Sequence, residues 1–340
     1  MLAQTTEWHG DFFVSWRLWH GVKSHTALRT VTLAALVAAV GQVTLGGLVR
    51  VTGSGLGCPD WPLCDGRAIP SLEFSALIEY AHRLSAIVLG ILVLATVVLA
   101  WRFYRGDVWI TVSITAALAF VVVAAILGGI TVLTELAWWI VLVHLGTAEL
   151  AVACLVVAVV AAWSADGEAA SLRTGLGKPN WYYSLLFVTL VGLFAVILFG
   201  SYMVGRGYGS ACGVWPLCNG TVLPQGEAFL VHMSHRIGVA LVGVLIAGTV
   251  VAAWSRRTSW PGLRWVALAV AGFFAVQVVV GAATVWTDFS LSLKSLHLSV
   301  ATLLWMSLVF LAAITFAPQK LRVTGLRESH PESVVKAVAP

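Results

Sequence analysis

Apolar residues run through this 340-residue chain in long blocks separated by short polar segments. Blocks able to span about 30 Å of hydrocarbon lie at 29–49, 77–101, 109–133, 137–163, 182–204, 228–254, 263–286 and 290–316. The pattern predicts eight transmembrane helices. Composition agrees: 59% of residues are hydrophobic and 10% charged, with a mean hydropathy of +0.93. A soluble domain would carry about 25% charged residues.

The second half repeats the first. His82-Arg83 recurs as His235-Arg236, Trp101 as Trp254, Thr131 as Thr284, Glu135 as Asp288 and His144-Leu145 as His297-Leu298, a shift of 153 residues. The expected fold is an all-α polytopic membrane protein of two tandem four-helix bundles related by pseudo-two-fold symmetry. Four helices per half bring both halves in and out on one side, so the repeats are parallel. The expected division is an N-terminal segment 1–28, a first half 29–163, a linker 164–181, a second half 182–316 and a tail 317–340.

Lys and Arg collect in cytoplasmic loops. Arg17, Lys23 and Arg29 precede the first span, Arg102 and Arg105 follow the second, Arg173 and Lys178 the fourth, Arg256, Arg257 and Arg264 the sixth, and Lys320, Arg322 and Arg327 the last. Both termini are expected in the cytoplasm of a prokaryotic cell. The net charge of +5 follows from this bias and gives no reason to expect a nucleic-acid partner. The first 28 residues have no cleavable small-residue site and do not read as a signal peptide.

Two external loops carry cysteines, Cys58-Pro-Asp-Trp-Pro-Leu-Cys64 and Cys212-Gly-Val-Trp-Pro-Leu-Cys218. In an oxidising compartment the economical pairing is Cys58 with Cys64 and Cys212 with Cys218. Three roles compete: a structural clip, a redox-active pair, and a zinc site shared by all four cysteines. Cys154, inside the fourth span, reads as a small buried hydrophobe.

His82, His144, His235 and His297 fall about 10 Å from the outer ends of their spans, at 1.5 Å per residue. Ionisable residues inside spans face the bundle interior and are functional candidates. Histidine pairs without a cysteine or carboxylate set suit heme iron, one ligand on each face of the porphyrin. Pairing His82 with His144, and His235 with His297, gives one heme per half. Arg83 and Arg236, assisted by Arg50 and Arg206, are placed to meet heme propionates or lipid headgroups. Gly46, Gly47, Gly128, Gly129, Gly200 and Gly281 admit either a flat macrocycle or a neighbouring helix.

The repeat breaks at one position. Glu79 lies one helical turn before His82, whereas the equivalent residue is His232. Glu79 reads as a proton acceptor or a stabiliser of positive charge beside the first heme, or as an ion-pair partner of Arg83 or Arg50. His232 reads as an alternative ligand, a propionate donor or an interfacial residue.

Glu79-Tyr-Ala-His82-Arg83, the Gly-Leu-Val-Arg run at 47–50 leading into Thr52-Gly-Ser-Gly55, the paired cysteine loops and the matched histidines together resemble the heme A synthase family over residues 30–316. The resemblance implies oxidation of the C8 methyl group of heme O to a formyl group, giving heme A for cytochrome oxidase. It implies a substrate site framed by His82 and His144, a resident heme b on His235 and His297, Glu79 as catalytic carboxylate and Cys58–Cys64 as the external pair. The partners it implies are heme O, the farnesyltransferase that forms it, membrane lipid and an electron acceptor; self-association is compatible with it. Two other classes fit the spans and histidines: a di-heme b-type electron carrier without porphyrin chemistry, and a transporter or proton relay without heme.

Overall fold

The computed structural model describes residues 8–164, 180–256 and 262–316, with side chains from residue 25 onward except that of Asn180. It is a helical membrane protein. The helices are α1 (Trp8–Val51), α2 (Phe74–Phe103), α3 (Val108–Leu133), α4 (Trp138–Ser164), α5 (Asn180–Gly205), α6 (Glu227–Trp254), α7 (Leu263–Trp286) and α8 (Leu291–Phe316). All eight are long and apolar enough to cross a membrane, α1 over His25–Val51. Lipid offers the backbone no hydrogen-bond partners, and a helix satisfies its own.

The observed ends fall within a few residues of the apolar blocks except at the start of α1, which begins at Trp8 inside the expected 1–28 segment. Hydropathy locates where a helix enters hydrocarbon, and polar residues such as His25 and Thr26 continue the same helix beyond it. The linker core 165–179, with Arg173 and Lys178, Arg257, and the tail from 317, with Lys320, Arg322 and Arg327, lie outside the described residues, as do the side chains of Arg17 and Lys23.

Consecutive helices α1–α4 close a ring, since α1 packs on α2 and α4 and α3 on both neighbours. Helices α5–α8 close a second ring in the same order, and α1·α8, α4·α8 and α4·α5 contacts join the two. Helices α4 and α8 are therefore central. Their buried faces include Val152, Leu155, Leu304 and Leu308, while α2, α3, α6 and α7 turn Ile91, Ile126, Val244 and Val279 outward. The dry core, with Leu28, Val93, Ile110, Ile114, Leu155 and Leu308, occupies the end remote from the cysteine loops. The histidines lie in the loop-end half.

Candidate functional site

Each cysteine loop is a small folded unit tied to the helix that follows it. Cys58–Cys64 and Cys212–Cys218 are disulfides with Cα–Cα distances of 4.6 and 5.0 Å. With all four loop cysteines engaged in disulfides, the shared zinc reading is overturned, and no cluster of three or more metal-ligating side chains occurs among the described residues. In the first loop, Asp65 and Gly66 donate their backbone N–H groups to Asp60 Oδ1 and Oδ2 at 2.7 and 2.8 Å. The Gly66 and Asp65 amides and the nearby Arg83 guanidinium hold the Asp60 carboxyl below the usual carboxylate range. Val214 stands at the matching place in the second loop, which therefore lacks this cap.

The arginines beside the histidines hold these loops rather than reaching freely for a ligand. Arg83 donates through Nη1 to the carbonyls of Asp60 (2.8 Å) and Leu63 (2.7 Å), and through Nη2 to the Cys58 carbonyl (3.0 Å) and Glu79 Oε1 (2.5 Å). Arg236 donates to Val214 (2.6 Å), Leu217 (3.1 Å) and Cys212 (3.1 Å) carbonyls. Loop carbonyls engage both terminal nitrogens of each guanidinium, and Arg236 also lines the cavity of the second half. Spacing alone gave no sign that the loops fold back over their own helices.

Glu79 and His232 serve matching latches. Glu79 is buried, and its Oε2 accepts the Cys58 N–H at 2.9 Å. His232 is also buried, and its Nδ1 accepts the Cys212 N–H at 3.3 Å. A neutral imidazole accepts through one nitrogen only, so Nε2 carries the proton and Arg236, 3.4 Å away, touches it without bonding. The ion-pair reading of Glu79 holds for Arg83. The first latch is ionic and the second is not.

Each of the four histidines lies against a glycine of the preceding helix. A Cβ at Gly46 would stand 3.0 Å from His82 Cε1, at Gly128 3.4 Å from His144 Cε1, at Gly200 3.2 Å from His235 Cε1 and at Gly281 3.1 Å from His297 Cε1. These glycines make room for imidazoles. Gly47 and Gly129 serve other neighbours, Leu298 and Trp61. Of the two expected pairs, His235 and His297 line one common cavity.

The imidazoles are also oriented by second groups. His144 Nδ1 lies 2.9 Å from the Ala124 carbonyl, a bond that fixes the proton on Nδ1 and leaves Nε2 as an acceptor. Gln42 on α1 approaches His82 Nδ1 at 3.1 Å, donates to the His82 carbonyl at 3.1 Å and accepts from Ser85. Gln277 on α7 lies 3.2 Å from His297 Nε2.

In the C-terminal half His235 and His297 line a cavity of about 710 Å³ with mostly apolar walls. Such a volume and lining suit a cofactor-sized ligand. The Nδ1 atoms of both histidines are buried without hydrogen-bond partners. Arg50 reaches this cavity from the first half, donating to Ser201 Oγ (2.9 Å) and the Ser201 carbonyl (3.0 Å), and Arg236 and Lys294 line it as well. Ring nitrogens from two helices, apolar sides and the three cations Arg50, Arg236 and Lys294 fit a heme with anionic propionates. Arg206 is not among the lining residues. It stands exposed beside Tyr208 and 3.9 Å from Glu227.

The model of the COX15-CtaA family, described as cytochrome oxidase assembly protein, matches residues 29–75 and 71–309. The chain belongs to this family. Among its relatives, the "Heme A synthase" of Alkalihalophilus pseudofirmus is 25% identical over 297 residues, covering 86% of this chain and 99% of that protein. The "Heme A synthase" of Symbiobacterium thermophilum is 28% identical over 301 residues, covering 85% and 95%. That of Halalkalibacterium halodurans is 26% identical over 292 residues, covering 84% and 97%.

Within this COX15-CtaA chain, Gln42, Gln277, Lys294 and Glu149 escape a search that follows only residues repeated at a fixed offset. Lys294 precedes His297 by three residues, the same spacing that marks Glu79 before His82. Glu149, an acid within a span, satisfies the rule that drew attention to the histidines. Gln42 and Gln277 have no such signal, because their partners lie on other helices.

Proposed function

We propose that this protein is a heme A synthase, which oxidises the C8 methyl group of heme O to a formyl group. The observation that carries the reading is the glycine-backed set of four half-buried histidines in a chain whose relatives bear that name. The first half, 29–163, takes heme O as substrate between His82 and His144. The second half, 182–316, holds a resident heme b between His235 and His297. Bound there, heme b supplies an iron that exchanges one electron at a time.

The chain's own residues do the rest. Gln42 and the Ala124 carbonyl orient His82 and His144, and their glycine backing sets the room available to the substrate. Glu79 keeps a negative charge one turn from His82, where it favours loss of a proton from the methyl group being oxidised. Arg83 fixes the carboxylate and ties the first loop to α2. Arg50 and Lys294 neutralise the propionates of the resident group. The loops and Glu79 face the outside of a prokaryotic cell membrane, and the termini the cytoplasm.

Pigment extraction after co-production with a heme O-forming farnesyltransferase tests this assignment. Heme A from the wild type and heme O alone from Glu79→Gln is the expected result. Equal heme O and no heme A from both would overturn it.

A further inference from the structure

Glu149 lies five residues beyond His144 on α4, about 7.5 Å further from the loop end at 1.5 Å per residue, and is fully buried. Its Oε1 accepts a hydrogen bond from Thr302 Oγ1 on α8 at 2.7 Å, and its backbone carbonyl accepts from Trp305 Nε1 at 2.9 Å. Its Oε2 is buried without a hydrogen-bond partner. Glu149 and Thr302 are 153 residues apart, so two positions made equivalent by the repeat meet where the halves join. The acid is central to the whole molecule and belongs to neither histidine pair.

No basic side chain bonds to Glu149 among the described residues. The titratable groups on the elements packed around it are His144 and Cys154 on α4 itself, Lys294 and His297 on α8, His25, Arg29 and Arg50 on the span of α1, and Tyr182, Tyr183 and Tyr202 on α5; α3 has none. Arg50 is engaged at Ser201, and Arg29 donates to the Ala162 carbonyl at 3.4 Å. A carboxyl in a span without a counter-charge is the kind of group that membrane proteins use to carry protons. In a medium of low permittivity, an electron arriving nearby raises the affinity of such a group for a proton.

We propose that Glu149 is the internal proton site that accompanies electron entry into the C-terminal half, an inference that rests on the heme reading of His235 and His297. As one electron arrives from a reductant, the methyl group under oxidation in the enzyme or dithionite in the test, Oε2 takes one proton from water and leaves hydroxide in the bulk. As the electron leaves to a one-electron oxidant such as ferricyanide, the proton returns to that hydroxide. The Thr302 hydroxyl holds Oε1 and aims Oε2 for this exchange.

Redox-induced infrared difference spectroscopy of the heme-loaded full chain, reduced with dithionite and reoxidised with ferricyanide, tests the proposal. The wild type should show a carboxylic-acid C=O feature that moves in D2O and disappears in Glu149→Gln. The heme midpoint potential should fall as pH rises in the wild type and lose that dependence in the variant. A normal redox change of the Soret band without the carboxyl feature, or a feature retained in Glu149→Gln, overturns the proposal and leaves the heme reading intact. Absence of a Soret band after production with adequate heme overturns the heme reading itself. Should Glu149→Gln fail to accumulate, Thr302→Val keeps the acid and removes its hydrogen bond; the feature must then shift in frequency, and an unshifted feature contradicts the assignment.

Discussion

The buried carboxylate of Glu79 accepts the backbone N–H of Cys58 at 2.9 Å, so the acid proposed for catalysis also holds the disulfide loop to α2. The two duties are separable. Glu79→Gln keeps an acceptor for Cys58 and loses the charge, whereas Glu79→Ala loses both. A hydrogen bond to a charged group contributes about 1.5–3 kcal/mol, on the order of a 10- to 100-fold change in local opening. Amide exchange at Cys58 should therefore accelerate by that order in Glu79→Ala and far less in Glu79→Gln, while heme A formation is lost in both.

The glycine backing of the histidines predicts a graded series. A Cβ would approach His82 to 3.0 Å from position 46, and His144 to 3.4 Å from position 128. Overpacking a fitted interior costs about 1–3 kcal/mol. Gly46→Ala should lower heme bound per folded chain and Gly128→Ala should be tolerated, as read by the ratio of Soret to protein absorbance. Equal loss in both would show that the glycines serve general helix packing.

Arg50 and Arg206 separate cleanly. Arg50 crosses from α1 to Ser201 and lines the cavity of the other half, whereas Arg206 stands exposed at the surface. Arg50→Gln should weaken retention of the C-terminal heme about tenfold, the loss of roughly one charge-assisted bond. Arg206→Gln should retain heme like the wild type. Heme transfer from each variant to apomyoglobin measures both.

Asp60 gives the first loop a pH dependence. Its folded carboxyl titrates below the unfolded value of about 3.9, so its stabilisation is present above that value and is lost as pH falls through the lower, folded one. Reduction of Cys58–Cys64 by a phosphine, which acts in acid, should be slower in the wild type than in Asp60→Asn near neutrality, and the two rates should converge in strong acid. A difference that persists in strong acid would contradict the role given to the carboxylate.

The eight spans and the cysteine pairs were legible because each is a local pattern repeated at a near-constant offset. What the sequence could not convey depends on how loops and halves fold against one another. That Arg83 and Arg236 also hold the loops shows only once the loops are seen to return over α2 and α6. Nothing in the sequence shows that Arg50, at the outer end of the first span, reaches Ser201 of the other half. The exchange of Glu79 for His232 marks a break in the repeat, yet both side chains accept the first cysteine's amide. What differs is charge: an ion pair with Arg83 in one half and a neutral imidazole in the other.

The most direct test is heme extraction from cells that lack their own heme A-forming enzyme and produce this chain with or without a heme O source. Heme A should appear only when chain and heme O source are both present. Heme O persisting unchanged beside an abundant, heme-loaded chain would contradict the account.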